Sequence, residues 1–160
     1  MIKNLLVISL LIIFLFGCNS SHKFGGINAQ INRVISGQTI EIFVDKKNVS
    51  FRLMGLRIPS NINYDKKLAQ QHLIQLLTSN YHYPLNSVIV KVETKLNQKD
   101  KYGRLTGYVW LNNQLINRKV LEGGWAIASL EYTDGKYDRD LLQGEEYARI
   151  MGNGIWKINH

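Results

Sequence analysis

Cations dominate the side chains able to do chemistry in this chain. Lys and Arg number 20 against 12 Asp and Glu, a formal charge of +8 at pH 7, and such a surplus favours anionic partners such as nucleic acid or acidic lipid. Arginine suits phosphate in particular, because its planar fork donates paired hydrogen bonds. Other constellations are thin. His22, His72, His82 and His160 are scattered, with no cysteine or carboxylate partner at metal-ligand spacing. Ser60 and His72 have the types of a nucleophile and a base, but no Gly-x-Ser-x-Gly elbow surrounds the serine. The one cysteine, Cys18, cannot close an internal disulfide; its place at the end of an apolar run is what carries information.

The elements that must position these groups fit one domain. A chain of 160 residues with 45% hydrophobic and 20% charged side chains has the size and composition of a single packed globular unit. With 2 prolines and 13 glycines it is neither collagen-like nor strongly disordered. Ile40, Ile42 and Val44 alternate with Thr39, Glu41 and Phe43, a strand period, and Ser36-Gly37-Gln38 joins residues 28–35 to 39–44 as a hairpin. A turn over 45–48 leads to a third strand over 49–56, with Phe51, Leu53 and Gly55 on one face. Ala69, Leu73, Leu76 and Leu77 recur at helical spacing within 65–79. Strand character returns over 88–95 and 105–111, separated by a polar turn over 97–103, and Asn112-Asn113 marks another turn. Two more helices, 117–122 and 138–151, are stopped by Gly123-Gly124 and by Gly152-Asn153-Gly154. Five strands and three helices in this order predict an α+β domain, a small closed β-barrel with helices packed on it. Trp110, Trp125 and Trp156 read as packing residues, and Tyr132 as an exposed aromatic.

Ahead of that domain, Lys3 precedes an apolar run over residues 5–16 and then Gly17-Cys18. The run spans roughly 18 Å as a helix, short of a hydrocarbon core about 30 Å thick, and so reads as a signal-peptide core rather than a membrane span. Leu15-Phe16-Gly17-Cys18 resembles the lipobox of bacterial lipoproteins, with Phe16 where a smaller residue is usual. That resemblance implies removal of residues 1–17, lipid on Cys18, a tether over 18–26 and a folded domain over 27–160. The expected location is outside the cytoplasm, anchored through lipid on Cys18 and facing the periplasm or the cell exterior.

Within the domain, Val34-Ile35-Ser36-Gly37-Gln38-Thr39-Ile40, Phe51-Arg52-Leu53-Met54-Gly55-Leu56-Arg57-Ile58-Pro59, Asp100-Lys101-Tyr102-Gly103-Arg104-Leu105 and Gly154-Ile155-Trp156 resemble segments of the staphylococcal nuclease family, in family order. The likeness runs from about residue 31 to residue 156 and implies a five-stranded OB-type β-barrel with three helices. It also implies hydrolysis of nucleic-acid phosphodiesters, which needs cations aimed at the developing charge, a calcium ion and a carboxylate that activates water. By this resemblance Arg52 and Arg104 fall on the two catalytic arginines, Lys101 and Tyr102 on contacts to a terminal phosphate, and Tyr132 on a nucleotide-contacting tyrosine. Leu130 stands where a second tyrosine is usual.

The acidic positions depart from the family's pattern. Gln38 and Arg57 replace the two metal-binding aspartates, and Ser60 replaces the general-base glutamate. No metal ligand set remains, and Ser60 is not a base at neutral pH. Glu41, Asp65 and Glu93 are acids that could in principle substitute, and nothing in their spacing marks them as doing so. The leading expectation is a membrane-anchored nuclease-like domain that binds nucleic acid or another polyanion without a cofactor and without cutting. One alternative is an active phosphodiesterase with a non-standard site, using calcium. Another is an envelope scaffold that binds protein and keeps its arginines as relics.

Overall fold

The computed structural model describes residues 26–59, 65–79 and 82–157. Cys18 with the segment before it, and Ser60, lie outside the described residues. Among the described residues there are eight strands: β1 Ile27–Ser36, β2 Thr39–Val44, β3 Lys47–Leu53, β4 Leu56–Arg57, β5 Ile89–Lys99, β6 Leu105–Leu111, β7 Gln114–Leu115 and β8 Ile127–Ala128. The helices are α1 Lys66–Leu77, α2 Ile116–Glu122 and α3 Asp138–Met151.

Strands β3, β2, β1, β5 and β6 pair in that order, and a parallel ladder between β3 and β6 closes them into a barrel. This is the five-stranded OB-type α+β fold with three helices. Its interior is built by alternation: Ile40, Ile42 and Val44 of β2 point inward, as do Phe51 and Leu53 of β3, and all are buried. Closure demands a close approach at Gly107. A Cβ there would sit 2.0 Å from the Glu93 carbonyl oxygen, so only glycine lets β6 lie against β5 at that point.

Asp65 caps α1 by accepting from the Lys67 and Leu68 amides at 2.8 and 3.2 Å, and Ala69, Leu73 and Leu77 form its buried face. The β1–β2 hairpin is pressed on this helix so tightly that a Cβ on Gly37 would lie 2.7 Å from the Ala69 methyl. Helix α2 buries Ile116, Val120 and Leu121, and α3 buries Leu141 and Ala148 before the left-handed Gly152 ends it. Trp110 meets Tyr137 edge-on, ring centroids 5.4 Å apart, and Trp156 lies 4.0 Å beneath the Arg149 guanidinium.

Three local expectations are corrected. The turn expected over 45–48 is two residues, Asp45-Lys46, both with positive φ, because a two-residue hairpin needs that mirror-image turn; Lys47 already pairs with Val44. The strand expected to reach residue 56 stops at Leu53. Gly55 takes φ +77°, turning the chain, and Leu56–Arg57 pair with Ile127–Ala128 in a separate two-stranded sheet. The polar turn expected over 97–103 is narrower, since β5 runs on to Lys99, which pairs with Leu105.

Candidate functional site

The turn between β5 and β6 is organised by one carboxylate. Asp100 Oδ1 accepts from the Tyr102 and Arg104 amides at 2.9 and 3.0 Å, while Oδ2 accepts from Arg104 Nε at 2.7 Å and pairs with Nη2 at 2.6 Å. Backbone bonds between Asp100 and both Gly103 and Arg104 close the loop. Arg104 is thereby held in one orientation with one-fifth of its side chain exposed. Tyr102 projects outward, 69% exposed, with Lys101 Nζ 5.2 Å and Arg104 Cζ 4.9 Å from its ring centroid.

Burial alone would raise the Asp100 pKa, but hydrogen bonds from Arg104 and Tyr102 and the guanidinium charge outweigh it, so the carboxyl sits below its ordinary value. The turn's stabilisation is therefore present above the ordinary carboxylate pKa, about 4, and is lost only as pH falls through the depressed folded value. In an NMR titration the Tyr102 and Arg104 amide shifts should move with a midpoint below about 4. Arg104→Ala should return that midpoint toward the ordinary value, and an unmoved midpoint would contradict the account.

Arg52 reaches the same end of the barrel by register. It lies opposite Thr39 of β2 and Thr106 of β6, and Arg104 immediately precedes Leu105, which lies opposite Phe51. Paired residues share a face, so Arg52, Thr39 and Thr106 all point outward. Arg52 Nη2 donates to the Leu56 carbonyl at 3.1 Å, placing the guanidinium beside β4, where Arg57 is exposed. Gln38 enters from the β1–β2 hairpin, its carbonyl accepting from the Leu53 amide at 2.9 Å. Its Oε1, and Thr39 Oγ1, are buried with no hydrogen-bond partner. Tyr132 is 79% exposed. The neighbouring Glu131 raises its phenol pKa through a hydrogen bond and its charge, and Lys101 opposes the shift.

The structure thus gathers Gln38, Arg52, Arg57, Lys101, Tyr102 and Arg104 around one barrel end, with Tyr132 near Lys101. Calcium does not fit there. Gln38 and Thr39 offer two neutral oxygens where a hard divalent ion prefers several anionic or carbonyl ones. Among the described residues no group of three or more His, Cys, Asp or Glu is arranged to hold a metal. The three carboxylates noted in the sequence are engaged: Glu41 by Arg33 at 3.0 Å, Asp65 as the α1 cap, and Glu93 by Lys136 at 2.6 Å. Sequence reasoning missed two features that only folding assembles, the buried amide of Asn117 behind β6 and a cavity beside Thr106.

A five-stranded OB-type barrel carrying three helices is the fold of the staphylococcal nuclease class, and the comparisons place the chain there. The chain belongs to the family of staphylococcal nuclease homologues, whose model matches residues 50–158. It is 28% identical over 127 residues to a thermonuclease of Staphylococcus hyicus, covering 79% of this chain and 74% of that one. To a thermonuclease of Staphylococcus intermedius it is 29% identical over 138 residues, 86% of this chain and 81% of the relative. To an uncharacterized endonuclease of Haemophilus influenzae it is 26% identical over 161 aligned positions, 99% and 81% of the two chains. Its function is accordingly nuclease-related.

Proposed function

We propose that this chain is a membrane-tethered member of the family that binds nucleic acid, or another phosphate-bearing polyanion, without hydrolysing it. Arg52 and Arg104 take phosphate oxygens with their guanidinium forks, Lys101 and Tyr102 hold a neighbouring phosphate, and Tyr132 contacts a nucleoside. Arg57 adds a third guanidinium. The observation that carries the reading is the composition of the barrel end: two arginines on adjacent elements, buried neutral oxygens on Gln38 and Thr39, and an Asp100 carboxylate already occupied by Arg104. Ser60, in the general-base position, is not a base at neutral pH, and losing such a base costs about 100- to 10,000-fold in rate. Lipid on Cys18, following removal of residues 1–17, holds the domain of residues 27–160 on the outer side of a membrane, because an apolar run ending in Gly17-Cys18 suits lipidation better than spanning.

The test uses the full chain in mild detergent and a fluorescent single-stranded DNA. Affinity should fall steeply and log-linearly with salt, and Arg52→Ala or Arg104→Ala should each weaken binding about 10-fold and flatten the slope by about 0.7. Calcium should produce no cleavage above an Arg104→Ala control. Cys18→Ser should move the protein from the membrane fraction to the soluble one. Salt-independent affinity, or chelator-sensitive cleavage lost in Arg52→Ala, would overturn the proposal.

A further inference from the structure

The side of the barrel away from Arg52 carries a patch of its own. Strand β3, which holds Arg52, pairs with β2 on one side and β6 on the other, so β1 and β5 lie across the barrel from it. Directly paired residues share a face. Phe43, Gln30 and Ile89 therefore form one outward row across β2, β1 and β5, and Asn28, Lys91 and Trp110 form the next across β1, β5 and β6. Phe43 is 44% exposed and Ile89 62%, while Ala29, Val44 and Val90, their neighbours along the strands, are buried. Beside Ile89, a cleft of about 200 Å³ is lined by Asn28, Lys91, Trp110, Asn112 and Asn113. It is smaller than the about 300–1,000 Å³ of small-ligand sites, which suits one group of a larger surface better than a whole free ligand. Apolar side chains rimmed by polar ones on an outer face mark a contact surface.

The chain also enters the fold here. Gly26 lies against the Lys91 stem, where a Cβ would come within 2.7 Å of Lys91 Cγ, and Ile27 opens β1 opposite Val92. Cys18 precedes Gly26 by eight residues. Even fully extended, that length of chain reaches only about 28 Å. The β2–β3 turn, which begins two residues after Phe43, adds the exposed Lys46 and Lys47 beside Asp45.

We infer that the outer face of β1 and β5 docks on the anionic phospholipid surface of the membrane that holds the anchor, with Phe43, Ile89 and Trp110 at headgroup level and Lys46, Lys47 and Lys91 on lipid phosphates. The inference rests on the tethering proposed above. Tryptophan suits that depth because its ring is apolar and its N–H polar. Each lysine brought close to an anionic surface strengthens binding roughly fivefold. Docking by this face has a consequence for the other one. It turns Arg52 away from the bilayer, whose own phosphates would otherwise compete with nucleic acid for the guanidinium.

The experiment reconstitutes the full chain into vesicles of phosphatidylcholine and phosphatidylglycerol whose headgroups bear a nitroxide, and reads quenching of tryptophan emission. Most of the quenching should disappear in Trp110→Phe and persist in Trp125→Phe and Trp156→Phe. Ile89→Asp combined with Lys91→Glu should reduce it at least twofold with the melting temperature unchanged, which certifies that the variant is folded, and so should vesicles without phosphatidylglycerol. Quenching that survives Trp110→Phe, or that Arg52→Ala removes, places another face on the bilayer and overturns the inference. A dimer in detergent that the double variant dissolves puts a second copy of the chain on this face and overturns it as well. Protein that floats with the vesicles yet shows no Trp110-dependent quenching refutes the docking face and leaves the tether standing. Protein that does not float with them removes both.

Discussion

Asn117→Ala is expected to destabilise the domain by about 3–5 kcal/mol, a large part of the total stability of roughly 5–15 kcal/mol for a domain of this kind. Asn117 is 0% exposed, and its side chain completes the barrel wall. Strand β6 pairs with β3 up to Gly107 and with β7 from Trp110, which leaves the backbone between them without a strand partner on that edge. The Asn117 amide fills the gap: Oδ1 accepts from the Val109 amide at 2.9 Å, and Nδ2 donates to the Gly107 and Met54 carbonyls at 3.2 and 2.8 Å. Alanine leaves these backbone groups buried and underpaired, each worth about 1–3 kcal/mol when unsatisfied, and opens a cavity. Chemical denaturation should show a lower midpoint with an unchanged slope. Asn117→Asp keeps the acceptor but loses both donor bonds and buries a charge, so it should be at least as damaging. A loss below about 1 kcal/mol in Asn117→Ala would show that the amide is not what holds the end of β3 in place.

The second large effect concerns charge at the barrel end. Calcium should leave the melting temperature of the unaltered chain unchanged, whereas Gln38→Asp combined with Arg57→Asp should make it rise by about 5–10 °C at saturating calcium and fall again with a chelator. Each unit charge at contact distance, with an effective dielectric near 20, is worth roughly 4 kcal/mol, and the exchange of Arg57 for a carboxylate alone moves the local charge by two units. The buried oxygens of Gln38 and Thr39 already lack partners, so the volume is lined for an electropositive guest once the cation is gone. Binding at about 100-fold above the dissociation constant stabilises a folded state by about 2.7 kcal/mol, and each kcal/mol moves the melting temperature of a domain this size by about 2–4 °C. A calcium-dependent rise in the unaltered chain would refute the reading of the site as positive and metal-free. No rise in the double variant would mean that the new carboxylates pair with Arg52 instead.

Much of this arrangement was legible before any coordinates. The alternation of Ile40, Ile42 and Val44, the helical spacing of Ala69, Leu73 and Leu77, and the stop at Gly152 are local patterns, and each element formed where its period placed it. The turn between β5 and β6 was legible only in part: polar residues marked it over 97–103, whereas the tight loop that Asp100 organises, with Lys99 already paired to Leu105, appears only in the fold. The strand limit at Leu53 was not legible, because Met54 and Gly55 continue the apolar alternation, and the chain leaves the sheet only where its backbone is drawn away by pairing with a segment some seventy residues on, Ile127–Ala128.

Residue types by themselves determined the strong positive charge, the two arginines, the non-acidic Gln38, Arg57 and Ser60, and the apolar run that precedes Cys18. Such properties are carried by composition and short motifs and survive in an unfolded chain. Only the tertiary structure decided that Arg52 and Arg104 share one barrel end and that Asn117 seals the wall behind it. These depend on closure of the barrel by β3 against β6, a parallel pairing of segments more than fifty residues apart, and no local period encodes which distant strand will supply the missing hydrogen bonds.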